Sequence, residues 1–311
     1  MRWRRISLGA RNGRRKPARK RSMKRLAYGV VIIVSVLACF LVYFSLNSSP
    51  PEAAIADHLS FFPDQRNPAF VDTCKTIFEE GELTWAYHEG EEITVDFYRK
   101  LPSCGTKIII LRVHSAIMKT ETGIISILGL FTSERYSDEA AKKYREDVLD
   151  DRLVKAFFTE GAEEYFGIVP KFVEESMKGK FQNTIIIMMG CEGLGYEELE
   201  YTDMAEAFIK KGARVYISWD GSISLDHTDQ ATIHLLQSLI LRKRTIDIAV
   251  TETMEIVGKD PTYNSTLQYY PRTAEAGNYT IPNPKSSLMM DIINNSPAAK
   301  AHKKIKNWTQ G

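Results

Sequence analysis

Four cysteines in 311 residues are too few to staple a chain of this length, so its stability must come from a buried core and not from a disulfide framework. The spacings of a zinc site and of an EF-hand loop are both absent, and no internal repeat is visible. No cofactor or metal is expected, since Gly193-Leu-Gly195 is too short to cradle a phosphate. The first 25 residues contain twelve Lys or Arg and no acid, and residues 26–46 contain no charge at all. Beyond residue 25 the balance reverses to 29 basic against 39 acidic side chains. That acidic excess argues against nucleic-acid binding. With 44% hydrophobic and 26% charged residues, the bulk of the chain is neither disordered nor fibrous.

The uncharged stretch 26–46, LAYGVVIIVSVLACFLVYFSL, is 21 residues long. As a helix it would cross a hydrocarbon core of about 30 Å. Twelve positive charges ahead of it hold the N-terminus in the cytoplasm and direct the remainder outside. A cleaved signal peptide would have a shorter apolar core and a small-residue cleavage site, and neither is present. The sequence therefore predicts a single-pass signal anchor in the cell membrane, with the bilayer as one partner and basic clusters such as Arg14-Arg15-Lys16 against anionic lipid. Sequons at Asn47, Asn264, Asn278 and Asn307 agree with an outside location. There Cys74 and Cys104 either form a disulfide or remain as two buried free thiols. The expected organisation is a basic cytoplasmic segment (1–25), the span (26–46), a linker (47–54), an α/β domain (55–258) and an irregular tail (259–311).

Within the domain, helical periodicity marks 67–80, closed by Gly81, and a short helix at 95–101. Charged residues 137–158 read as a helix, as do 170–177, 204–211 with Asp203 as N-cap and Glu206 as its partner, 228–242 and 246–257. Short strands are expected at 83–87 and 124–131. Three runs, 107–113, 184–189 and 213–219, are apolar and β-branched, as strands covered on both faces must be. Their alternation with helices predicts a doubly wound, mostly parallel sheet.

Two of these runs end in reactive side chains. Ile108-Ile-Ile-Leu-Arg-Val-His114 delivers an imidazole, and Ile185-Ile-Ile-Met-Met-Gly-Cys191-Glu-Gly193 a thiol. Ligands bind beyond the carboxyl ends of strands in open α/β sheets. If the two strands are neighbours, an imidazole there can deprotonate or stabilise the thiol, with backbone N–H groups at the turns facing a developing oxyanion. Taken singly, a strand-end cysteine or histidine is more often structural. His227 and His234, seven apart, suit packing or surface roles, and the five acids of 192–203 suit a solvated loop.

An apolar block ending in His followed by one ending in Cys resembles the caspase-like cysteine peptidases: caspases, gingipains, clostripain, separases and CHAT domains. Cys191-Glu192-Gly193 is similar to their C-x-G, and 204–222, with its Gly-Ala pair and Trp219, resembles the CHAT and separase segment after the nucleophile. Asp229-Gln-Ala-Thr232 resembles the acidic opening of their next helix. The likeness covers about residues 105–258. It implies a caspase/hemoglobinase-like fold and a cysteine endopeptidase with Cys191 as nucleophile, His114 as acid/base and the N–H groups of Ser115 and Cys191 as oxyanion hole. A protein or peptide is the implied substrate. Asp226 and Asp229, with Trp219 as an apolar wall, are candidates for receiving a basic side chain; capping of the next helix is the competing role. Two departures stand out: His114-Ser115 replaces His-Gly, and Gly190-Cys191-Glu192-Gly193 replaces the caspase signature, so aspartate specificity is not implied. A silent member of the same fold, serving as a binding or sensing ectodomain, is the alternative.

Overall fold

In the computed structural model the described residues are 34–36, 50–119, 125–158, 161–196 and 199–282. The chain divides into two units, Met1–Ser49 and Pro50–Gly311. Of the first, one helical turn (34–36) is described, so the expected span, like Asn47, Asn307 and most of the tail, lies outside the described residues. No described helix is long and apolar enough to cross a membrane.

The second unit begins with β1 (Ala53–Asp57) and a helical-turn loop over 58–65. Then come α1 (Pro68–Glu80), β2 (Trp85–Glu89), α2 (Val95–Lys100) and β3 (Ile108–Arg112). Asn67 caps α1 by accepting from the Phe70 N–H, with Pro68 in the first turn, where its missing N–H has no cost. A meander follows: β4 (Ser115–Lys119), β5 (Ile125–Arg135), short α3 (Asp138–Lys143) and α4 (Arg145–Leu149), β6 (Leu153–Ala156) and β7 (Tyr165–Ile168). β8 (Ile185–Met188), the hairpin β9 (Gly195–Tyr196) and β10 (Leu199–Glu200), α5 (Asp203–Lys210) and β11 (Val215–Trp219) come next. α6 (Leu225–Leu236), α7 (Ile246–Val257), β12 (Leu267–Tyr270) and α8 (Ala274–Gly277) close the unit.

Six strands form the main sheet in the order β12-β11-β8-β3-β1-β2. The five from β2 to β11 are parallel, and β12 joins antiparallel to β11. Side chains alternate across each strand. Ile109, Leu111, Ile186, Met188 and Tyr216 face a core shared with α5 and with the second sheet, β4-β5-β7-β6. Ile108, Ile110, Ile185, Ile187 and Ile217 face α1, α6 and α7. The α/β class and the largely parallel sheet follow the expectation, but part of one covering layer is an antiparallel sheet, not helices.

Five expectations need correction. Residues 53–54 are not linker: Ala53 and Ala54 open β1, which is buried throughout and lies between β2 and β3. The charged stretch 137–158 is not one helix, because Leu153–Ala156 pairs with β7. The tail assigned from residue 259 contains β12 and α8, so the folded domain runs past 258. Asp203 is the first helical residue, with Thr202 preceding it as N-cap. Cys74 and Cys104 are free thiols: Cys74 is buried with the α1 face of the core and Cys104 is exposed after α2.

Candidate active site

β3 and β8 are neighbours, with Leu111 opposite Met188. His114 and Cys191 each lie three residues beyond that pair, in the loops that follow β3 and β8. The adjoining side chain closes the gap, since the Ser115 hydroxyl donates to the Cys191 carbonyl at 2.6 Å. The glycines flanking the thiol have packing reasons. A Cβ on Gly190 would lie 2.6 Å from the Val113 carbonyl and collide with Ser115 Oγ, and one on Gly193 would collide with Ser218 Oγ and Met188 Cε. Glu192, between them, adopts φ 62°. Its carboxylate accepts from the Ile117 N–H (2.9 Å) and the Ser222 hydroxyl (3.2 Å), clamping the turn to β4 and to the end of β11.

The two reactive side chains meet different neighbours, and no hydrogen bond joins them among the described residues. Cys191 Sγ lies 3.9 Å from the Ile223 carbonyl. Burial pushes its thiol above the usual range; backbone N–H groups oppose this, while Glu192 and Asp260 reinforce it. His114 sits in a cage of rings: Phe158 (centroids 4.8 Å apart), Phe62 (5.8 Å), His58 (5.9 Å) and Phe131 (6.1 Å). Its Nε2 meets Gln65 Oε1 at 2.7 Å. Burial, then the Arg112 charge, lower its pKa to about 4 against a smaller pull from Asp64. His58 is fully buried, and burial, then His114, lower its pKa to about 3 against a smaller opposing pull from the Thr132 backbone.

The backbone groups expected to face an oxyanion are those of Cys191 and Ser115. The Cys191 N–H makes no backbone hydrogen bond among the described residues. Ser115 begins β4, opposite Leu130.

Of the two proposed specificity aspartates, Asp229 is engaged elsewhere. Both Asp229 oxygens accept from Arg112, at 2.8 Å from Nε and 2.9 Å from Nη2, and Oδ2 also accepts from Asn67 Nδ2. Arg112 Nη1 donates to Asp57 Oδ1 at 3.0 Å and to the Gln65 carbonyl at 3.1 Å. The guanidinium is fully buried. One cation faces two carboxylates, and burial holds Asp57 above the usual range against the pull of Arg112, Ser60 and Tyr87. Asp229 is therefore a structural anchor, not a pocket wall. Trp219 is core, donating from Nε1 to Thr228 Oγ1 at 3.0 Å. Asp226 is exposed in the first turn of α6, where its charge complements the helix dipole. His227 packs on Trp219 and meets the Gly258 carbonyl at 3.1 Å. Asn264 and Asn278 are exposed.

Beside Cys191 a groove of about 710 Å³ opens at the end of β11, lined by Glu192, Glu200 and Asp220 and also by Lys259 and Arg272. Sequence reasoning missed Asp220, Gln65 and His58. It also passed over a usable signal: Arg112 interrupts an apolar strand, and a buried guanidinium requires carboxylate partners. Among the described residues, no group of three His, Cys, Asp or Glu could hold a metal ion. No family model matches the chain, and neither does any curated protein.

Proposed function

We propose that the protein is a cysteine peptidase of caspase-like type, anchored in the membrane by residues 26–46 with its α/β domain outside, and that Cys191 attacks while His114 moves the proton. The observation that supports this is the pairing of β3 with β8, the two strands whose following loops carry His114 and Cys191. The thiol's pKa is raised and the imidazole's lowered, so near neutral pH both are uncharged. His114 then works as a general base and not as half of a preformed ion pair. Sγ bonds to the scissile carbonyl carbon as its proton passes to His114. That proton goes to the leaving amine as the C–N bond breaks, and water hydrolyses the thioester with His114 again as base. The adjoining groove, lined by Glu192, Glu200 and Asp220 but also by Lys259 and Arg272, is the candidate for receiving a substrate side chain, the role first assigned to Asp226 and Asp229.

The test is alkylation of the full chain in detergent by iodoacetamide, read by mass spectrometry. Cys191 reacts ahead of Cys74 and Cys104, and His114→Ala slows it by about 10²-fold or more, the range of general acid–base assistance. A peptide library should then give cleavage after Arg or Lys. An inert Cys191 in a folded protein supports the second reading, a binding or sensing ectodomain. The raised thiol pKa and the lack of a His114–Cys191 hydrogen bond favour that alternative. For topology, protease added to intact cells should remove a C-terminal tag and spare an N-terminal one; the reverse refutes the orientation.

A further inference from the structure

A general base must carry its hydrogen on one ring nitrogen and its lone pair on the other, and the partner of the first decides which is which. For His114 that partner is the Gln65 side chain, Oε1 to Nε2 at 2.7 Å. A carbonyl oxygen accepts and cannot donate, so Nε2 carries the hydrogen and the lone pair falls on Nδ1. Nδ1 has no hydrogen-bond partner among the described residues, and the ring is half-buried, not sealed. Gln65 is itself held through its main chain. Its carbonyl accepts from buried Arg112 Nη1, and two residues on Asn67 donates to Asp229 while capping α1. The aromatic cage fixes the ring plane, with Phe158 and Phe62 edge-on to it. The crevice itself is built by sheet order. With β2-β1-β3-β8-β11, chain connections leave β1 and β3 in opposite directions, and the loop carrying Gln65 starts at that divide.

We infer that Gln65 is the positioning residue of His114, held by the Arg112–Asp57–Asp229 network so that the imidazole keeps its Nε2–H tautomer and offers Nδ1 as the proton acceptor. That Nδ1 serves peptide cleavage rests on the function proposed above; the tautomer does not. A neutral amide orients the ring without adding charge, so His114 stays unprotonated over a wide pH range. A carboxylate at the same position would orient it equally and hold a proton on it.

The chain has six histidines, so ¹⁵N-histidine labelling of the full chain in detergent micelles gives a spectrum in which His114→Gln identifies the ring by loss of its signals. The wild type should show a protonated Nε2 and an unprotonated Nδ1 at pH 7. Gln65→Leu should lose this preference and slow Cys191 alkylation about tenfold or more. Gln65→Glu should restore the tautomer and move the His114 titration, with the acid limb of the alkylation profile, upward from about 4 by a unit or more. An Nδ1–H tautomer in the wild type overturns the assignment. So does a tautomer and titration midpoint unmoved by Gln65→Leu and Gln65→Glu, the result a merely structural glutamine would give. An inert Cys191 beside a His114 that responds to Gln65 as described refutes the peptidase function and supports the positioning role.

Discussion

Arg112 and His114 stand two residues apart at the end of one strand, yet their surroundings are opposites. Arg112 makes four hydrogen bonds: its guanidinium meets two carboxylates and a carbonyl and has no exposed surface. Among the described residues the His114 side chain has one hydrogen bond and four aromatic neighbours. A buried charge must have every donor matched, because an unmatched one costs several kcal/mol. A neutral imidazole tolerates an apolar cage and keeps one nitrogen available for chemistry. The two surroundings thus act differently, with the ion network tying β1, β3 and α6 together and the cage keeping the His114 ring uncharged.

Breaking the network should have the largest effect on stability. Arg112→Leu leaves Asp57 and Asp229 buried without a counter-charge and should lower unfolding free energy by about 3–5 kcal/mol in denaturant titrations. His114→Phe, which nearly conserves volume in an aromatic setting, should cost about 1.5 kcal/mol or less. Equal losses from the two variants would erase the contrast. Removing Asp229 together with Arg112 should recover part of the loss, as expected of a coupled pair.

The cage makes a pH prediction of intermediate size. His58 and His114 have folded pKa values of about 3 and about 4, below the ordinary 6.5. Below pH 6.5 the unfolded chain takes up protons that the folded chain refuses. Their contribution is therefore complete above 6.5 and is lost as pH falls from there through 4 to 3. Denaturation midpoints should fall across that window, and His58→Phe should flatten the decline. A midpoint unchanged between pH 6.5 and 4 would mean the rings are not held neutral.

The smallest effect is expected at the seam between the two strand ends. Ser115→Ala leaves the Cys191 carbonyl without its 2.6 Å donor and should cost about 1 kcal/mol. If the side chain does no more than tie the turn, the alkylation rate of Cys191 should change less than in Gln65→Leu.

The three central strands were legible because their apolar, β-branched runs are long enough to mark a two-faced sheet, and the positions of His114 and Cys191 at strand ends followed from them. β1 escaped notice: Ala53-Ala-Ile-Ala-Asp57 carries one large apolar side chain, too little to distinguish a buried strand from a spacer. Charge misled at 137–158, where exposed positions of two short helices and an edge strand look like one solvated helix. Asp229 looked available because its partner lies 117 positions away.

By itself the sequence determined which segments must be buried, where the charge-free stretch lies, and that a thiol and an imidazole stand at strand ends. Burial preference and side-chain alternation are local properties, readable from neighbours along the chain. The tertiary structure alone decided which strand ends meet, that Asp229 neutralises Arg112 and that Gln65 reaches His114 across 49 positions. Those contacts depend on sheet order, and sheet order is settled by which faces of distant elements can be covered together.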